Sequence, residues 1–590
     1  MSLGPALGAV AVFATVLGVY LALLPADPML GDPSSFTVAA YRLGQPHFPY
    51  PLHTLLGSVF TKLPWSTVAW RVGLLSAVAG AGSASVVYLL VCRMLPKLYP
   101  RSHAIIAVHS SAGVAALSFA FSSGLWRASE IPEVYSLNAL FTVAVLVLML
   151  RWDDTGSRRS LYLAALFYGL SLGLQYLNLA FLPALVLFAM ISARRSDLRG
   201  VKPLAFVGAF VVLGLLQFIY LPLRPLGPPP DVSTLGDYWD FALGPWFDIV
   251  MGSVGEMEWR VVRRVAGALL VEEFSIIGVL LAAVGVWAWG SRRPRHLVLL
   301  LGLFVLSRLA LAPVVGLPSV DSSLGFFIVP SSIVVTLFIG VGVFAVQDAL
   351  RRVRIVPGAL RPAVASDAAL RWVVAALLIV GSAAYVFGRY SDHKPAQVAA
   401  KALAEDTASY SRALLEHLPA GSTLLTDWTF GTPLWYYQFV EGLGRGVEVR
   451  SVWPEELPAH AADPNARGDI YVTHHPEEVI RTLSAARFLQ YKWMKAYRVV
   501  SPEDYLAGAP PAISHPAEVN LANEIVFLGY NLKPTSLRPG ESFQVEYFWK
   551  ALARMRNNYE VFVHFVGSDG RTAFQQDHLP VGGVYSTSEW

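Results

Sequence analysis

Cysteine, charge and internal repetition are all scarce in this sequence. The chain has 590 residues, of which one is cysteine and only 15% are charged. The lone Cys92 excludes a disulfide framework. The small net charge of +4 gives no reason to expect a nucleic-acid partner. We find no internal repeat and no low-complexity tract, which excludes a solenoid or an array.

Apolar residues are abundant instead and predict a membrane protein. They make up 55% of the chain, and the mean hydropathy is +0.50, which is far above that of a soluble domain of this length. Windows of about 20 apolar residues mark transmembrane helices. They predict eleven spans, at residues 3–24, 68–92, 103–124, 131–150, 160–176, 179–193, 203–222, 267–290, 296–312, 325–347 and 370–388. The first lacks a basic N-terminal region, so we expect a retained helix and not a signal peptide.

The positions of arginine and lysine predict the topology. Basic loops resist translocation. They occur at residues 93–101, 151–159, 194–202, 292–295 and 351–361. We therefore expect these loops and the N-terminus in the cytoplasm of a cell with the protein in its plasma membrane. The loop at 25–66 and everything after residue 389 are then expected outside.

The chain after residue 389 has ordinary polarity. Residues 390–505 alternate helical and strand patterns, which predict an extracytoplasmic α/β domain. Residues 515–590 alternate apolar and polar positions between turn signals, which predict a β-sandwich module. That module ends in mid-pattern, so we expect it to be truncated. Residues 1–389 form the predicted membrane domain.

The first outer loop carries an unusual polar stretch, GDPSSFTVAAYRLGQPHFPYPLH, at residues 31–53. A carboxylate beside a membrane is costly and is usually kept for a partner or for chemistry. Asp32 is therefore a candidate catalytic residue. The alternative is an N-cap of a helix that has Pro33 at its first position. His47 and His53, taken alone, are more typical of interfacial hydrogen bonding than of metal binding.

This stretch and three later ones resemble the protein O-mannosyltransferase-like family of GT-C glycosyltransferases. Asp32 matches the aspartate of the family's Asp-Ser-Gly-Glu motif, but Ser35 replaces its glutamate. His47 and Tyr50 match a His-Pro-Pro-Gly-Tyr-Pro motif that has one residue deleted here. The later matches are WRASEIPEVYSLNALF, with Glu133, Tyr135 and Asn138 in register, GLSLGLQYLNLAFLP, with Gln175 in place of a histidine, and IYLPLRP, which ends the set at Arg224.

The resemblance implies a GT-C membrane fold and a specific reaction. Such an enzyme transfers a sugar, here expected to be mannose, from a polyprenyl-phosphate carrier to an extracytoplasmic hydroxyl of a protein or glycan. Asp32 would be the general base, and Arg224 would hold the lipid phosphate. The remaining matched residues would bind substrate: His47, Tyr50, Glu133, Tyr135, Asn138 and Gln175. The resemblance calls for no cofactor, and a divalent metal is optional because the leaving group is already a phosphate.

Several alternatives remain open at the level of sequence. Arg224 is also in the right place for a snorkelling interface arginine, and Glu133 and Tyr135 for pairing with Arg127. One alternative is a GT-C reaction on glycan or lipid acceptors. Another is a catalytically impaired relative that binds glycans at the membrane surface, which draws support from the missing glutamate at Ser35, although the other matched residues together favour a working enzyme. A transporter would show paired, broken helices in two halves, which we do not find.

Overall fold

The computed structural model describes most of the membrane region and parts of the region that follows. The described residues are 3–44, 50–102, 104–192, 194, 198–223, 259–310, 324–352, 367–461, 468–473, 487–490, 496–500, 512–533, 538, 543–580 and 587–589. Contacts divide the chain into two units, residues 1–409 and 410–590. Each unit is described by itself.

The first unit is a bundle of helices. In chain order they are α1 (Leu3–Leu23), α2 (Asp32–Arg42), α3 (Pro51–Phe60), α4 (Val68–Leu98), α5 (Ile105–Ala120), α6 (Ser123–Ser129), α7 (Tyr135–Thr155), α8 (Arg158–Ser171), α9 (Leu182–Ile191), α10 (Val201–Leu215), α11 (Trp259–Gly290), α12 (Pro294–Leu309), α13 (Leu324–Phe327), α14 (Val329–Arg352) and α15 (Asp367–His417). Short 3-10 segments at Tyr176–Phe181 and Leu216–Leu223 connect some of them. Each of the eleven predicted spans falls on one of these helices.

Six helices of the described residues are long and apolar enough to cross a membrane, and the pair α5 and α6, bent by 66°, adds a seventh if it is one span. The six are α1, α4, α7, α10 with the start of the 3-10 segment after it, the second part of α11, and α14. The chain is therefore a multi-pass membrane protein. The exact number of spans stays a prediction, because several helices are shorter than a bilayer requires.

The core of the bundle lies around α4, α5, α7 and α14. Helix α4 contains the run AVAGAGSAS, and small residues let helix backbones approach closely. A side chain at Gly80 would collide with Ser129 and Tyr20. Helices α14 and α4 are mostly buried, whereas α1 and α10 lie at the periphery. Since the apolar faces of peripheral helices contact lipid, this arrangement is the one expected in a bilayer.

The second unit contains three sheets. A mixed sheet has the strand order β2-β1-β3-β5-β4, in which β1 (Thr423–Thr426) pairs in parallel with both its neighbours. The other strands of that sheet are β2 (Glu448–Ser451), β3 (Ile470–Val472), β4 (Arg487–Gln490) and β5 (Tyr497–Val500). Five more strands follow in the chain: β6 (His515–Leu521), β7 (Ile525–Lys533), β8 (Gln544–Ala551), β9 (His564–Val566) and β10 (Thr572–Gln575). The last five form antiparallel sheets of three and two strands. The predicted α/β pattern is present, with helices at Trp428–Tyr436 and Leu457–Ala461, and the sandwich arrangement stays a prediction.

Candidate active site

Asp32 is the first residue of α2, and it does not cap that helix. The N-cap is Gly31, whose φ of 74° is a left-handed conformation that suits glycine. No side chain caps the helix, and Pro33 takes the second position. The capping interpretation required the helix to begin at Pro33. Because it begins at Asp32, the Asp32 carboxyl group is not the helix cap. Asp32 as a whole residue is half-buried.

A second carboxyl group, that of Glu133, lies close enough to Asp32 for the two charges to interact. Glu133 belongs to the short loop between α6 and α7. The Ser76 hydroxyl of α4 fixes its backbone, donating to the Glu133 carbonyl at 2.9 Å and accepting from the Glu133 N–H at 3.0 Å. The Val134 N–H donates to Glu133 Oε2 at 3.3 Å. The loop therefore presents this side chain in one orientation.

Burial sets the ionisation of this carboxylate pair. Desolvation raises the pKa of Asp32 to about 6. Desolvation, together with the nearby Asp32 charge, raises the pKa of Glu133 well above its ordinary value. Two close carboxyl groups in a poorly solvated site favour a single negative charge. Because Glu133 is 4% exposed and Asp32 is partly exposed, that charge belongs on Asp32, with the proton on Glu133.

Aromatic side chains frame the carboxylate pair. Phe36 of α2 meets the Tyr50 ring edge-on with centroids 5.6 Å apart, and the His53 ring at 5.2 Å. Tyr50 stacks on Tyr176 at 6.3 Å, and burial together with the nearby Asp32 and Glu133 raises the pKa of its hydroxyl group. The surroundings of the two carboxyl groups are thus rich in buried apolar surface, and burial of this kind raises the pKa of a carboxyl group.

A narrow pocket adjoins this frame at Tyr135, the first residue of α7. Its lining is formed by Tyr135, Asn138, Gln175, Leu177, Asn178, Phe181, Ser307, Phe326, Phe327 and Pro330. The amide of Gln175 lies beside the Tyr135 hydroxyl. Asn178 Nδ2 donates to Asn138 Oδ1 at 2.7 Å and to the Ser171 carbonyl at 3.1 Å. Five elements, namely α7, the segment Tyr176–Phe181, α12, α13 and the start of α14, thus meet here.

The structure brings most of the predicted site residues together. Asp32, Tyr50, Glu133 and Tyr135 form one electrostatically connected group. Tyr135 in turn shares the pocket with Asn138 and Gln175. His47 and Arg224 lie outside the described residues, so their roles stay predictions.

Pairing of Glu133 with Arg127 is not observed among the described residues. The Arg127 guanidinium instead lies 5.3 Å above the Phe326 ring, and its side chain is exposed. Glu133 interacts electrostatically with Asp32 instead, and Ser76 holds its backbone in place. Of the two interpretations of Glu133, the structure therefore favours the one in which it belongs to the site.

Sequence reasoning missed three buried polar residues near the site. His53 is fully buried, and neither ring nitrogen has a hydrogen-bond partner in the described parts of the chain, so it is not an interfacial residue. Desolvation lowers its pKa to about 4. Asn178 and Arg308 are buried as well. Asn178 and Arg308 each interrupt an apolar run of the sequence, and this pattern could have identified them.

The opposite ends of α4 and α7 carry a second polar cluster. Asp154 pairs with Lys97, with Arg93 at 3.7 Å and with Arg293 at 3.8 Å. Asp153 accepts from Ser192 at 2.6 Å and lies 3.1 Å from His296 Nε2. The ligand atoms of Asp153, Asp154 and His296 lie within 4.8 Å of one another. Since cations already surround Asp154, we interpret the cluster as an ion-pair network that joins helices.

This network also bears on the topology. Three of the basic loops predicted to be cytoplasmic contribute Arg93, Asp154 and Arg293 to it. Those loops therefore lie at the same end of the bundle, and the carboxylate pair lies at the other end. That separation is what the alternation of basic loops predicts.

Comparisons with known proteins agree with this arrangement. Residues 32–198 match the protein O-mannosyl-transferase TMEM260 N-terminal domain. Protein O-mannosyl-transferase TMEM260 of Mus musculus is 34% identical over 225 residues, which are 37% of this chain and 30% of that protein. Its counterpart from Dictyostelium discoideum is 26% identical over 213 residues, 33% of this chain and 24% of that protein. The chain thus spans less than a third of the length of these curated relatives.

Two solved structures show the same fold. Both are of ArnT from Cupriavidus metallidurans, one bound to undecaprenyl phosphate and one in the apo state, with TM-scores of 0.51 and 0.52 and 14% identity. Each alignment covers 86% of this chain and 100% of the other. Residues 32–198 are thus similar to a protein O-mannosyl-transferase N-terminal domain, and the chain shares the GT-C fold of the ArnT structures.

Proposed function

We propose that this protein transfers mannose from a polyprenyl-phosphate carrier to a hydroxyl group of a protein on the extracytoplasmic side of the plasma membrane. The observation that carries the proposal is the Asp32 and Glu133 pair, one residue half-buried and one buried, at one end of a GT-C bundle. The names of the curated relatives support mannose and a protein acceptor. The carrier bound in the ArnT structure supports a polyprenyl phosphate.

The two carboxyl groups have distinct roles in the proposed mechanism. Ionised Asp32 accepts the proton of the acceptor hydroxyl. The acceptor oxygen bonds to the anomeric carbon, and the bond from that carbon to the phosphate oxygen breaks. The polyprenyl phosphate leaves with the bonding electrons. Protonated Glu133 stays neutral and acts as a hydrogen-bond donor, as neutral carboxyl groups do in poorly solvated sites.

The carrier's phosphate needs a cation in this mechanism. Arg224 is proposed for that role, because a guanidinium group forms paired hydrogen bonds with phosphate oxygens. Arg224→Lys should weaken use of the donor, and Arg224→Ala should weaken it further. Equal donor KM values in both variants and the parent would leave Arg224 as an interface anchor.

Transfer by the purified full chain in lipid nanodiscs tests the proposal. The donor is radiolabelled polyprenyl-phosphate mannose, and the acceptor is a peptide rich in serine and threonine. Asp32→Asn should lower the transfer rate by about 10² to 10⁴, the usual cost of losing a general base. Asp27→Asn, which changes a carboxyl group in the same outer loop, is the matched control and should leave the rate unchanged.

Two results would overturn the proposal. One is near-parental transfer by Asp32→Asn. The other is the absence of any turnover by the parent chain with polyprenyl-phosphate mannose or glucose. The second result, combined with retained binding of glycans, would instead favour a surface binding protein.

A further inference from the structure

We propose that the pocket beside Tyr135 binds the sugar ring of the donor, and that Gln175 and Asn178 recognise its hydroxyl groups. This inference rests on the proposed function and names one part of its site. It is carried by three features of the pocket: unpaired amide atoms, an aromatic wall and a lining without charge.

The first feature is a pair of buried amide side chains, those of Gln175 and Asn178. Gln175 is 3% exposed, and its amide has the Tyr135 hydroxyl beside it but forms no hydrogen bond of good geometry through Oε1 or Nε2 among the described residues. Asn178 Oδ1 is also buried without a partner there, although Asn178 Nδ2 is held by Asn138. Buried polar groups are normally paired, so unpaired ones indicate a ligand. A carboxamide offers a donor and an acceptor side by side, which suits adjacent sugar hydroxyls.

Aromatic rings supply the second feature. Tyr135 stacks on Phe326 with centroids 5.3 Å apart and 17° between planes, and Phe327 meets Tyr135 edge-on at 5.2 Å. The C–H face of a pyranose is apolar and packs on such rings. A mostly apolar pocket with a few directed polar groups is the usual form of a small-molecule site.

The absence of charge distinguishes a sugar from a phosphate. None of the ten lining residues is charged, and the nearby Arg127 is exposed and lies over the Phe326 ring, so a phosphate buried in the pocket would lack a counterion in the lining. A neutral polyol carries no such cost. Tyr135 is also near enough to the carboxylate pair to feel its charge, so a sugar ring in the pocket would lie next to the proposed general base.

Gln175→Met tests this assignment, because methionine keeps the length of the side chain and removes both amide atoms. The experiment measures binding of polyprenyl-phosphate mannose and of polyprenyl phosphate alone to the full chain in nanodiscs. We expect about tenfold weaker binding of the mannose donor, the scale of one lost hydrogen bond, and unchanged binding of polyprenyl phosphate. The melting temperature should be equal or higher, since an unpaired amide has been removed.

Gln347→Met is the matched control. Gln347 of α14 is buried too, but its amide donates to the Ser111 hydroxyl at 3.1 Å. Its replacement should lower the melting temperature and leave the preference for the mannose donor unchanged. Gln175→Asn, which keeps the amide on a shorter side chain, should lie between the parent and Gln175→Met in donor binding.

Three outcomes would overturn the assignment. Equal losses for the two lipids in Gln175→Met would place the carrier, not the sugar, in the pocket. Unchanged binding of both would leave the pocket without a ligand role. Loss of folding in Gln175→Met would show that the amide is structural. Because these are binding measurements, they stay informative even if the parent chain shows no turnover, which is the result that would overturn the proposed function.

Discussion

At the scale of single residues, the site depends on an aspartate kept in an unfavourable setting. The pKa of Asp32 in the folded chain, about 6, exceeds its ordinary value of 3.8 because of burial. Ionisation of Asp32 therefore lowers the free energy of unfolding, whereas protonated Asp32 does not lower it. This cost is absent below pH 4, grows between pH 4 and pH 6, and is complete above pH 6. Active sites commonly trade stability for function in this way.

Asp32→Asn should consequently stabilise the fold while it abolishes transfer. We expect a higher melting temperature than that of the parent at pH 7.5 and a difference close to zero at pH 4, because only the ionised aspartate is penalised. Thermal unfolding of both proteins in detergent at the two pH values measures this. A lower melting temperature at pH 7.5 would mean that the carboxylate makes stabilising contacts that outweigh its burial.

The pH dependence of transfer should report the same group. The rate should rise with pH through about 6, since only ionised Asp32 accepts a proton. Glu133→Gln should retain a substantial part of the rate, because a glutamine amide replaces the neutral, hydrogen-bonding form of the glutamic acid. If Glu133→Gln were inactive and Asp32→Asn active, the roles of the two carboxyl groups would be reversed.

At the scale of elements, α4 and α7 organise the site. The Ser76 hydroxyl of α4 forms hydrogen bonds with both the N–H and the carbonyl of Glu133. In Ser76→Ala the Glu133 N–H becomes a buried donor without a partner, which costs about 1 to 3 kcal/mol. We expect a lower transfer rate and a shifted pH profile, measured with the nanodisc assay.

Ser83→Ala is the control for that prediction. Ser83 lies on the same helix and is equally buried, but its hydroxyl donates only to the Gly80 carbonyl at 2.7 Å within the helix. Its pH profile should match that of the parent. A Ser76→Ala profile identical to that of Ser83→Ala would show that the loop holds Glu133 without help from α4.

The ion-pair network at the other end of these helices should contribute to stability. Asp154→Asn leaves Lys97, Arg93 and Arg293 without their shared carboxylate. We expect the free energy of unfolding to fall by roughly 1 to 3 kcal/mol, less than for a fully buried pair because the cations are partly solvated. Denaturation in detergent measures this change. Unaltered stability would mean that the three cations find water or lipid phosphate instead.

Sequence alone predicted the elements better than their contacts. Long apolar runs must form helices in a bilayer, since every backbone group has to be hydrogen-bonded there, and all eleven predicted spans lie on helices. The approach of Glu133 to Asp32 was not predictable, because it depends on how α4 and α7 pack. The buried state of His53 was missed for the same reason. Its neighbour Phe36 is close in space, but nothing in the local pattern places that ring over the histidine.

At the scale of the whole molecule, the two ends of the bundle differ in chemistry. The end with the carboxylate pair is predicted to face outward, and the end with Asp154 and its cations inward. A reporter that is active only outside the cytoplasm, fused after residue 400, should therefore be active in intact cells. The same reporter fused within the basic loop at 292–295 should be silent. The reverse pattern would invert the whole topology.

The distance in sequence between the two carboxyl groups also determines the earliest stage of synthesis at which the proposed site can form. Asp32 and Glu133 are about a hundred residues apart in the chain, and Glu133 is held in place by Ser76 only once α7 has packed against α4. A ribosome-bound chain that has inserted its first few helices thus has the aspartate but lacks its partner. On the proposed function, the chain is therefore expected to be inert until α7 has been inserted, and to gain activity only after the later helices have added the rest of the pocket beside Tyr135.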